Sequence, residues 1–320
     1  IGRKILLELI KGADMLIESF PPGYLTELGL GYETLEKVNP ELVMTSITPF
    51  GQTGPKANNA WSDLSVWASG GPAYLTGHPD RSPVGISFEH QAALHGGTEA
   101  AAACMIAHYY REKTGEGQYI DISMMDAQVA WLTYQAATYF ANDEPPKRLG
   151  AAHPTLVPYQ AFMCEDGKYI NVAVGSERIW DRFCQGMKMP EMKENPEYAT
   201  NGDRVRNRDE IVPNLQKIFL TRPVNDWVQD LQEFNVPCGP INDLADVFSD
   251  PQLLHRKMFV EMPHPTLGSI KQTGLPIKFS LTPGALDRHP PLLGEHNGEL
   301  LKELGYSEAD IQRLTEQEVI

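Results

Sequence analysis

Short apolar runs alternate with helical patterns in the first 50 residues of the chain. Residues 3–11 have the spacing of a short helix, and the next stretch, ADMLIES, has the continuous apolar character of a buried strand. The unit repeats at once in YETLEKVNPELVMTSITPF. Strands that are apolar on both faces are typical of a parallel sheet covered by helices. The pattern therefore predicts part of a doubly wound, Rossmann-like α/β domain whose first strand would precede residue 1.

A long helix and then a strand-to-helix junction come next. HQAALHGGTEAAAACMIAHYYREKTG contains the small residues of a closely packed helix and ends in basic residues, which suit the helix dipole. GEGQYIDISMMDAQVAW then predicts a strand followed by a mostly apolar helix over about residues 124–140. Asp126 lies in the first turn of that helix, and Ser123 with Asp126 fits the S-x-x-D capping pattern. A helix cap is the common role for such a carboxylate, and a nucleophile is the alternative.

After residue 150 the pattern changes to short alternating strands and amphipathic helices. PYQAFMCEDGKYINVAVGS predicts a β-hairpin that turns at Asp166 and Gly167. Three helical stretches follow, GSIKQTGLPIKFSLTP is again strand-like, and Ser307 with Asp310 predicts the start of the last helix. We predict a large Rossmann-like domain over 1–145, a small α+β domain over 150–255, and a linker and C-terminal segment over 256–320.

Composition narrows the function classes. The chain has 320 residues, enough for two domains, and a formal charge of -15, which argues against nucleic-acid binding because phosphate backbones require clustered Lys and Arg. No apolar run approaches the roughly 18 residues that a membrane helix needs. The four cysteines are dispersed without a C-x-x-C pair, which favours reduced thiols in the cytoplasm over disulfides or a zinc site.

Two loops carry the first candidate binding residues. SFPPGYLTELGLGY and TPFGQTGPKANNAW follow the predicted parallel strands, where ligands bind in open sheets. Gly51 and Gly54 in the second loop would let backbone N–H groups approach a ligand closely. His90, His95 and Glu99 have no convincingly spaced third ligand, so we predict no metal site.

Several of these stretches together resemble the family III CoA-transferases, which include carnitine, bile-acid and formyl-CoA transferases. The resemblance rests on ADMLIESFPPGYLTELGLGYETLEKVNPELVMTSITPFGQTGP, REKTGEGQYIDISMMDA, VPCGPINDL and PPLLGEHNGELLKELGYS, and covers residues 3–320 in the family's order. It implies acyl-CoA and carboxylic acid substrates and no tightly bound cofactor. It also implies a C-terminal segment that returns to the large domain and an interlinked homodimer, although some members are hetero-oligomers. The family's N-terminal segment, which carries part of the CoA site, would precede this chain.

The resemblance also assigns site residues. The family's Asp, which carries the acyl group, matches Asp126 in SMMDA, and backbone N–H groups at the helix start would stabilise the oxyanions. The CoA contacts implied around the PG turn and the following loop are Ser19, Pro22, Gly23, Leu28, Gly51 and Gly54.

At three places the chain differs from related members of the family, and each difference bears on the expected reaction or substrate. The family's α-methylacyl-CoA racemases use a His and an Asp where this chain has Ser62 and Gln91, and neither of these can serve as the base. An Asn and an Arg that help to hold CoA in the transferases are replaced here by Ser19 and Glu27, and a glutamate repels phosphate. The glycine-rich lid of formyl-CoA transferase is also absent, which favours a bulkier donor or acceptor.

Overall fold

The computed structural model describes residues 1–84 and 90–320. These residues form two compact units, one of Ile1–Gly150 with Leu292–Ile320, and one of Ala151–Pro291. The last 29 residues therefore belong to the same unit as the first half of the chain. Residues 256–291 belong to the second unit, whereas the sequence pattern groups them with the C-terminal segment.

The first unit contains a parallel sheet and the helices that cover it. Its elements up to residue 150 are α1 (Gly2–Ile10), β1 (Met15–Glu18), α2 (Tyr24–Glu27), α3 (Tyr32–Leu35), β2 (Val43–Thr48), α4 (Asp63–Ser69), α5 (Pro72–Leu75), α6 (Gln91–Thr114), β3 (Gln118–Ser123), α7 (Met124–Ala130) and α8 (Thr133–Asn142). The strands are parallel in the order β1-β2-β3, which confirms the α/β class predicted from the apolar strands.

Helices cover both faces of this sheet. Successive side chains of β2 point to opposite faces and pack against different helices. Met44 packs with buried Ile10, Leu30 and Leu35 on the face of α1 to α3. The next residue, Thr45, points the other way and its Oγ1 lies 3.1 Å from the Sγ of Cys104 on α6. This two-sided burial explains the continuous apolar run Leu42, Val43 and Met44 at the start of β2.

The helix predicted over about 124–140 is two helices. α7 ends at Ala130, and α8 begins at Thr133, whose φ of 46° lies in the left-handed region. A β-branched residue rarely adopts that backbone conformation, so the sequence pattern gives no sign of the break. The consequence for the site is that Asp126 lies on a helix of only seven residues.

The second unit is a smaller α+β assembly. Its elements are β4 (Tyr159–Met163), β5 (Tyr169–Ala173), α9 (Glu177–Gly186), α10 (Pro190–Glu194), a 3-10 turn (Pro196–Tyr198), α11 (Asn201–Arg206), α12 (Arg208–Phe219), α13 (Val224–Glu233), β6 (Cys238–Pro240), α14 (Leu244–Ser249), α15 (Pro251–His255), β7 (Phe259–His264) and β8 (Gly268–Thr273). The hairpin of β4 and β5 turns at Asp166 and Gly167 as predicted. The predicted strand that begins at residue 268 stops at Thr273, because Pro276 has no N–H to extend a ladder.

The chain ends with α16 (Asn297–Glu303) and α17 (Glu308–Glu316) in the first unit. Ser307 and Asp310 form a reciprocal capping box at the start of α17, which confirms the predicted helix start. All four cysteines carry free thiols. No helix of the described residues has the length and apolarity to cross a membrane, and within the same residues no group of three or more His, Cys, Asp or Glu side chains is arranged to hold a metal ion.

Candidate active site

The carboxylate of Asp126 is free although Asp126 occupies a capping-box position. β3 ends at Ser123, and the Ser123 hydroxyl accepts a hydrogen bond of 3.1 Å from the Asp126 backbone N–H. Ser123 is therefore the cap of α7. The Asp126 side chain is exposed, and among the described residues its carboxylate accepts no hydrogen bond and forms no ion pair. Three other aspartates at the same position of a helix, Asp203, Asp246 and Asp310, do bond back to the N-cap backbone.

The helix start favours a negative charge at Asp126 but offers it few free donors. A carboxylate in the first turn is stabilised by the helix dipole. However, the Met125 N–H donates to the Pro49 carbonyl at 3.0 Å, and the Asp126 N–H is held by Ser123. These two amides already have acceptors, and the expectation that N–H groups near the helix start stabilise the oxyanions stays a prediction.

The carboxylate of Asp121 holds the loop after β2 against the end of β3. Both oxygens of Asp121 accept the Gln52 backbone N–H, at 3.0 and 3.2 Å. Gly51 has a φ of 85°, and a Cβ at this position would lie 3.6 Å from the Cβ of Ser123. The start of the loop therefore lies directly against the end of β3. Gly54 also has a positive φ, but a Cβ there would meet nothing within 4 Å.

Polar side chains also fix α7 from its buried side. Gln128, which is fully buried, hydrogen-bonds through its side-chain nitrogen to Nδ1 of His95 on α6 at 2.9 Å. The His95 ring stacks on Trp131 with centroids 4.0 Å apart. Gly70 packs so closely that a Cβ on it would lie 2.3 Å from the Cβ of Gln128. A glutamine among the apolar residues of MMDAQVAW is the sequence signal for this contact, and our sequence analysis did not use it.

A cavity of about 480 Å³ opens at the carboxyl ends of β1 and β2. Of the predicted CoA contacts, only Gly23 lines this cavity. Ser19 and Pro22 lie in the same loop as Gly23, and Leu28 lies at the end of α2, but none of the three lines the cavity. Its wall consists of Glu18, Pro21, Gly23, Leu25, Thr26, Gly31, Tyr32, Glu33, Thr34, Met44, Ser46, Gln52 and Tyr119.

Tyrosines and glutamates determine the character of this cavity. Tyr32 and Tyr119 pack together with ring centroids 5.6 Å apart, and the Tyr119 hydroxyl donates to Ser46 at 2.8 Å. Burial raises the pKa of both tyrosines, so both phenols stay neutral. Among the described residues, Glu18 and Glu33 supply the only charges of the lining, and both are negative. Gln52 lines the cavity and bonds to Asp121, so it connects this space with the end of β3.

Comparison with known proteins identifies the family of the chain. The sequence profile described as CoA-transferase family III matches residues 1–297 of the chain. The chain belongs to the family III CoA-transferases. The resemblance noted from the sequence motifs is thereby confirmed.

Characterised and solved members of this CoA-transferase family are similar over nearly the whole chain. A succinyl-CoA:glutarate CoA-transferase of Mus musculus is 38% identical over 98% of this chain and 72% of its own. An acetyl-CoA:oxalate CoA-transferase of Acetobacter aceti is 33% identical over 96% of this chain and 78% of its own. The crystal structure of a CAIB/BAIF family protein from Brucella suis has a TM-score of 0.83 and 36% identity, and covers 94% of this chain and 78% of that one.

Ser62 and Gln91, which the sequence analysis aligned with the racemase His and Asp, have structural roles in this CoA-transferase. The Ser62 hydroxyl caps α4 in a reciprocal capping box with Ser65. Gln91 is the buried first residue of α6. The neighbouring Asp63, which the sequence analysis did not single out, accepts hydrogen bonds from the Ala92 and Ala93 N–H groups, at 3.2 and 2.8 Å. Residues 87–89 of the stretch that aligns Gln91 lie outside the described residues.

Proposed function

We propose that the chain transfers CoA from a short dicarboxylic acyl-CoA, such as succinyl-CoA, to a short dicarboxylate such as glutarate, with Asp126 as the nucleophile. The observation that carries the proposal is the free Asp126 carboxylate at the start of α7, in a chain of the family III CoA-transferases. The names of the relatives support the substrate class, because a succinyl donor and a dicarboxylate recur in them.

The reaction proceeds through two covalent states of Asp126. An oxygen of the carboxylate attacks the thioester carbonyl, the C–S bond breaks, and CoA thiolate leaves behind a mixed anhydride on Asp126. The thiolate then attacks the aspartyl carbonyl carbon, which releases the donor acid and leaves an aspartyl-CoA thioester. The acceptor carboxylate attacks this thioester, and the two steps run in reverse to give the new acyl-CoA and free Asp126.

A carboxylate suits this sequence because each intermediate keeps the acyl group activated. Exchange of one thioester for another is nearly neutral in free energy, so an intermediate as stable as a serine ester would return the acyl group to CoA slowly. Mixed anhydrides and thioesters are both good acyl donors, but water must be kept from them. The free Asp126 carboxylate needs no partner to be removed before it attacks.

The cavity beside β1 and β2 is the part of the site that we assign to CoA. The cavity lies in the loop region of the PG turn and reaches, through Gln52, the loop that Asp121 holds next to Ser123. Gly23 lines it, and Ser19, Pro22, Leu28, Gly51 and Gly54 remain proposed contacts around it. Its apolar and tyrosine wall suits the uncharged portions of CoA better than the phosphates.

The exposed face of α6 supports an oligomer. Leu94, Met105, Ile106 and Tyr109 all lie on this helix with more than half of their surface exposed. Contiguous exposed apolar residues are typical of subunit interfaces. We propose that this face is covered in a homodimer or a hetero-oligomer of the kind the family forms. Four free, dispersed thiols support a reducing compartment such as the cytoplasm.

Transfer and racemisation are separated by an assay in heavy water. With succinyl-CoA and glutarate, we expect glutaryl-CoA and succinate to form, and an α-methylacyl-CoA to acquire no deuterium at its α-carbon, because Ser62 and Gln91 supply no base. Liquid chromatography with mass spectrometry measures both products. Deuterium uptake that persists in Asp126→Ala, without transfer, would replace the proposed reaction by the racemase alternative.

A further inference from the structure

The cavity beside the PG turn lacks the positive charge that a CoA ligand requires. CoA carries a diphosphate and a 3′-phosphate, and phosphate groups are bound in proteins mainly by Arg, Lys and free N–H groups. In the part of the chain that the structure describes, the lining of the cavity contains Glu18 and Glu33 and no lysine or arginine. Glu27, at the end of α2, adds a third carboxylate to this region. A cation on another element of the first unit, close to this lining, could supply that charge.

Arg3 on α1 places a guanidinium against the turn that follows Glu27. A Cβ on Gly29 would lie 2.8 Å from Nη2, 2.9 Å from Cζ and 3.0 Å from Nη1 of Arg3, and these are its three nearest atoms. Glycine at position 29 thus leaves room for the guanidinium, and its φ of 68° requires glycine as well. Thr26 and Gly31, on either side of Gly29 in the sequence, both line the cavity.

The charge of Arg3 is available to a ligand. Arg3 is exposed, and among the described residues no carboxylate lies within ion-pair distance of it. Two neighbouring cations of the unit are already engaged, since Lys11 pairs with Glu8 at 2.7 Å and Arg111 pairs with Asp14 at 2.8 Å. An arginine whose guanidinium lies against Gly29, between the cavity-lining residues Thr26 and Gly31 in the sequence, is suited to bidentate contact with a phosphate.

We infer that Arg3 binds a phosphate group of CoA at the rim of this cavity. The inference rests on the proposed function, because it assumes that CoA occupies the cavity. In this role Arg3 contributes to the affinity for CoA and takes no part in the chemistry at Asp126.

Titration calorimetry with CoA alone tests the assignment without requiring turnover. We expect Arg3→Gln to weaken CoA binding about tenfold, the size typical of one lost charge-assisted contact. Arg3→Lys should retain part of the affinity because it keeps the charge but loses the planar fork. Lys4→Gln is the matched control: it removes the same charge from the adjacent exposed residue and should change the affinity less than twofold.

Activity measurements and a second ligand complete the test. In the transfer assay, Arg3→Gln should raise KM for the acyl-CoA and leave kcat and the KM for the acceptor acid unchanged. If 3′-dephospho-CoA abolishes the difference between wild type and Arg3→Gln, the 3′-phosphate is the partner; a difference that persists identifies the diphosphate.

The inference and the proposed function fail in different ways. Equal CoA affinity in wild type and Arg3→Gln, or equal losses in Arg3→Gln and Lys4→Gln, would overturn the role of Arg3 while CoA transfer stood. A wild-type chain that neither binds CoA nor transfers it would overturn the proposed function itself.

Discussion

Asp126→Ala is expected to abolish CoA transfer and to leave the fold intact. Removal of a nucleophile that forms the covalent intermediate should lower kcat by about 10⁴-fold or more. The stability cost should be small, because Ser123 makes the cap of α7 and the Asp126 carboxylate contributes only its interaction with the helix dipole, about 0.3–1 kcal/mol. Transfer kinetics and thermal unfolding of the same variant measure the two effects.

Asp310→Ala provides the matched control for this variant. Asp310 has the same position in α17 that Asp126 has in α7, but its carboxylate accepts bonds from the Ser307 N–H at 3.1 Å and hydroxyl at 2.6 Å. Its removal should cost about 0.5–2 kcal/mol of stability and no activity. The two variants therefore separate capping from catalysis. An Asp126→Ala protein with substantial transfer activity would show that another group carries the acyl chain.

Gly70→Ala is expected to disturb both stability and activity. An alanine Cβ would lie 2.3 Å from the Cβ and 3.0 Å from the Cγ of Gln128, so α4 or α7 must move. Overpacking of this kind costs about 1–3 kcal/mol. Because Gln128 lies two residues after Asp126, the displacement should also misplace the nucleophile, and an error of about 1 Å can cost roughly 10²-fold in rate. Thermal unfolding and kcat report the two losses.

Gly298→Ala is the control for the added methyl group. Gly298 lies in α16 of the same unit, its φ is not positive, and a Cβ there would meet nothing within 4 Å. This substitution should leave activity unchanged and raise stability slightly, because alanine is the better helix former. If Gly70→Ala behaved in the same way, the contact between Gly70 and Gln128 would not be what positions α7.

Local sequence patterns predict much of this site and its fold. The apolar strand followed by S-x-x-D is enough to place Ser123 at the end of β3 and Asp126 in the first turn of α7, because both signals lie within a few residues. The hairpin at Asp166 and Gly167 follows from the same kind of local rule. The family was identified in the same way, from contiguous motifs.

The remaining features depend on residues that are distant in the sequence. Asp121 holds the N–H of Gln52 across 69 positions, and Gln128 meets His95 across 33. Periodicity reports which face of an element is apolar, but it does not report which loop a surface carboxylate will reach. The same limit explains why the sequence pattern predicts neither the contact of Asp121 with Gln52 nor the position of Arg3 beside Gly29.

Peptide mass spectrometry of the protein after incubation with succinyl-CoA tests the central claim most directly. In the absence of an acceptor acid, part of the protein should carry CoA as a thioester on the peptide that contains Asp126, with one succinate released for each CoA bound. Hydroxylamine should remove the CoA and leave a hydroxamate on Asp126, and Asp126→Ala should acquire no CoA. An adduct on a different peptide, or full transfer activity in a protein that never carries CoA, would contradict the assignment of Asp126 as the nucleophile.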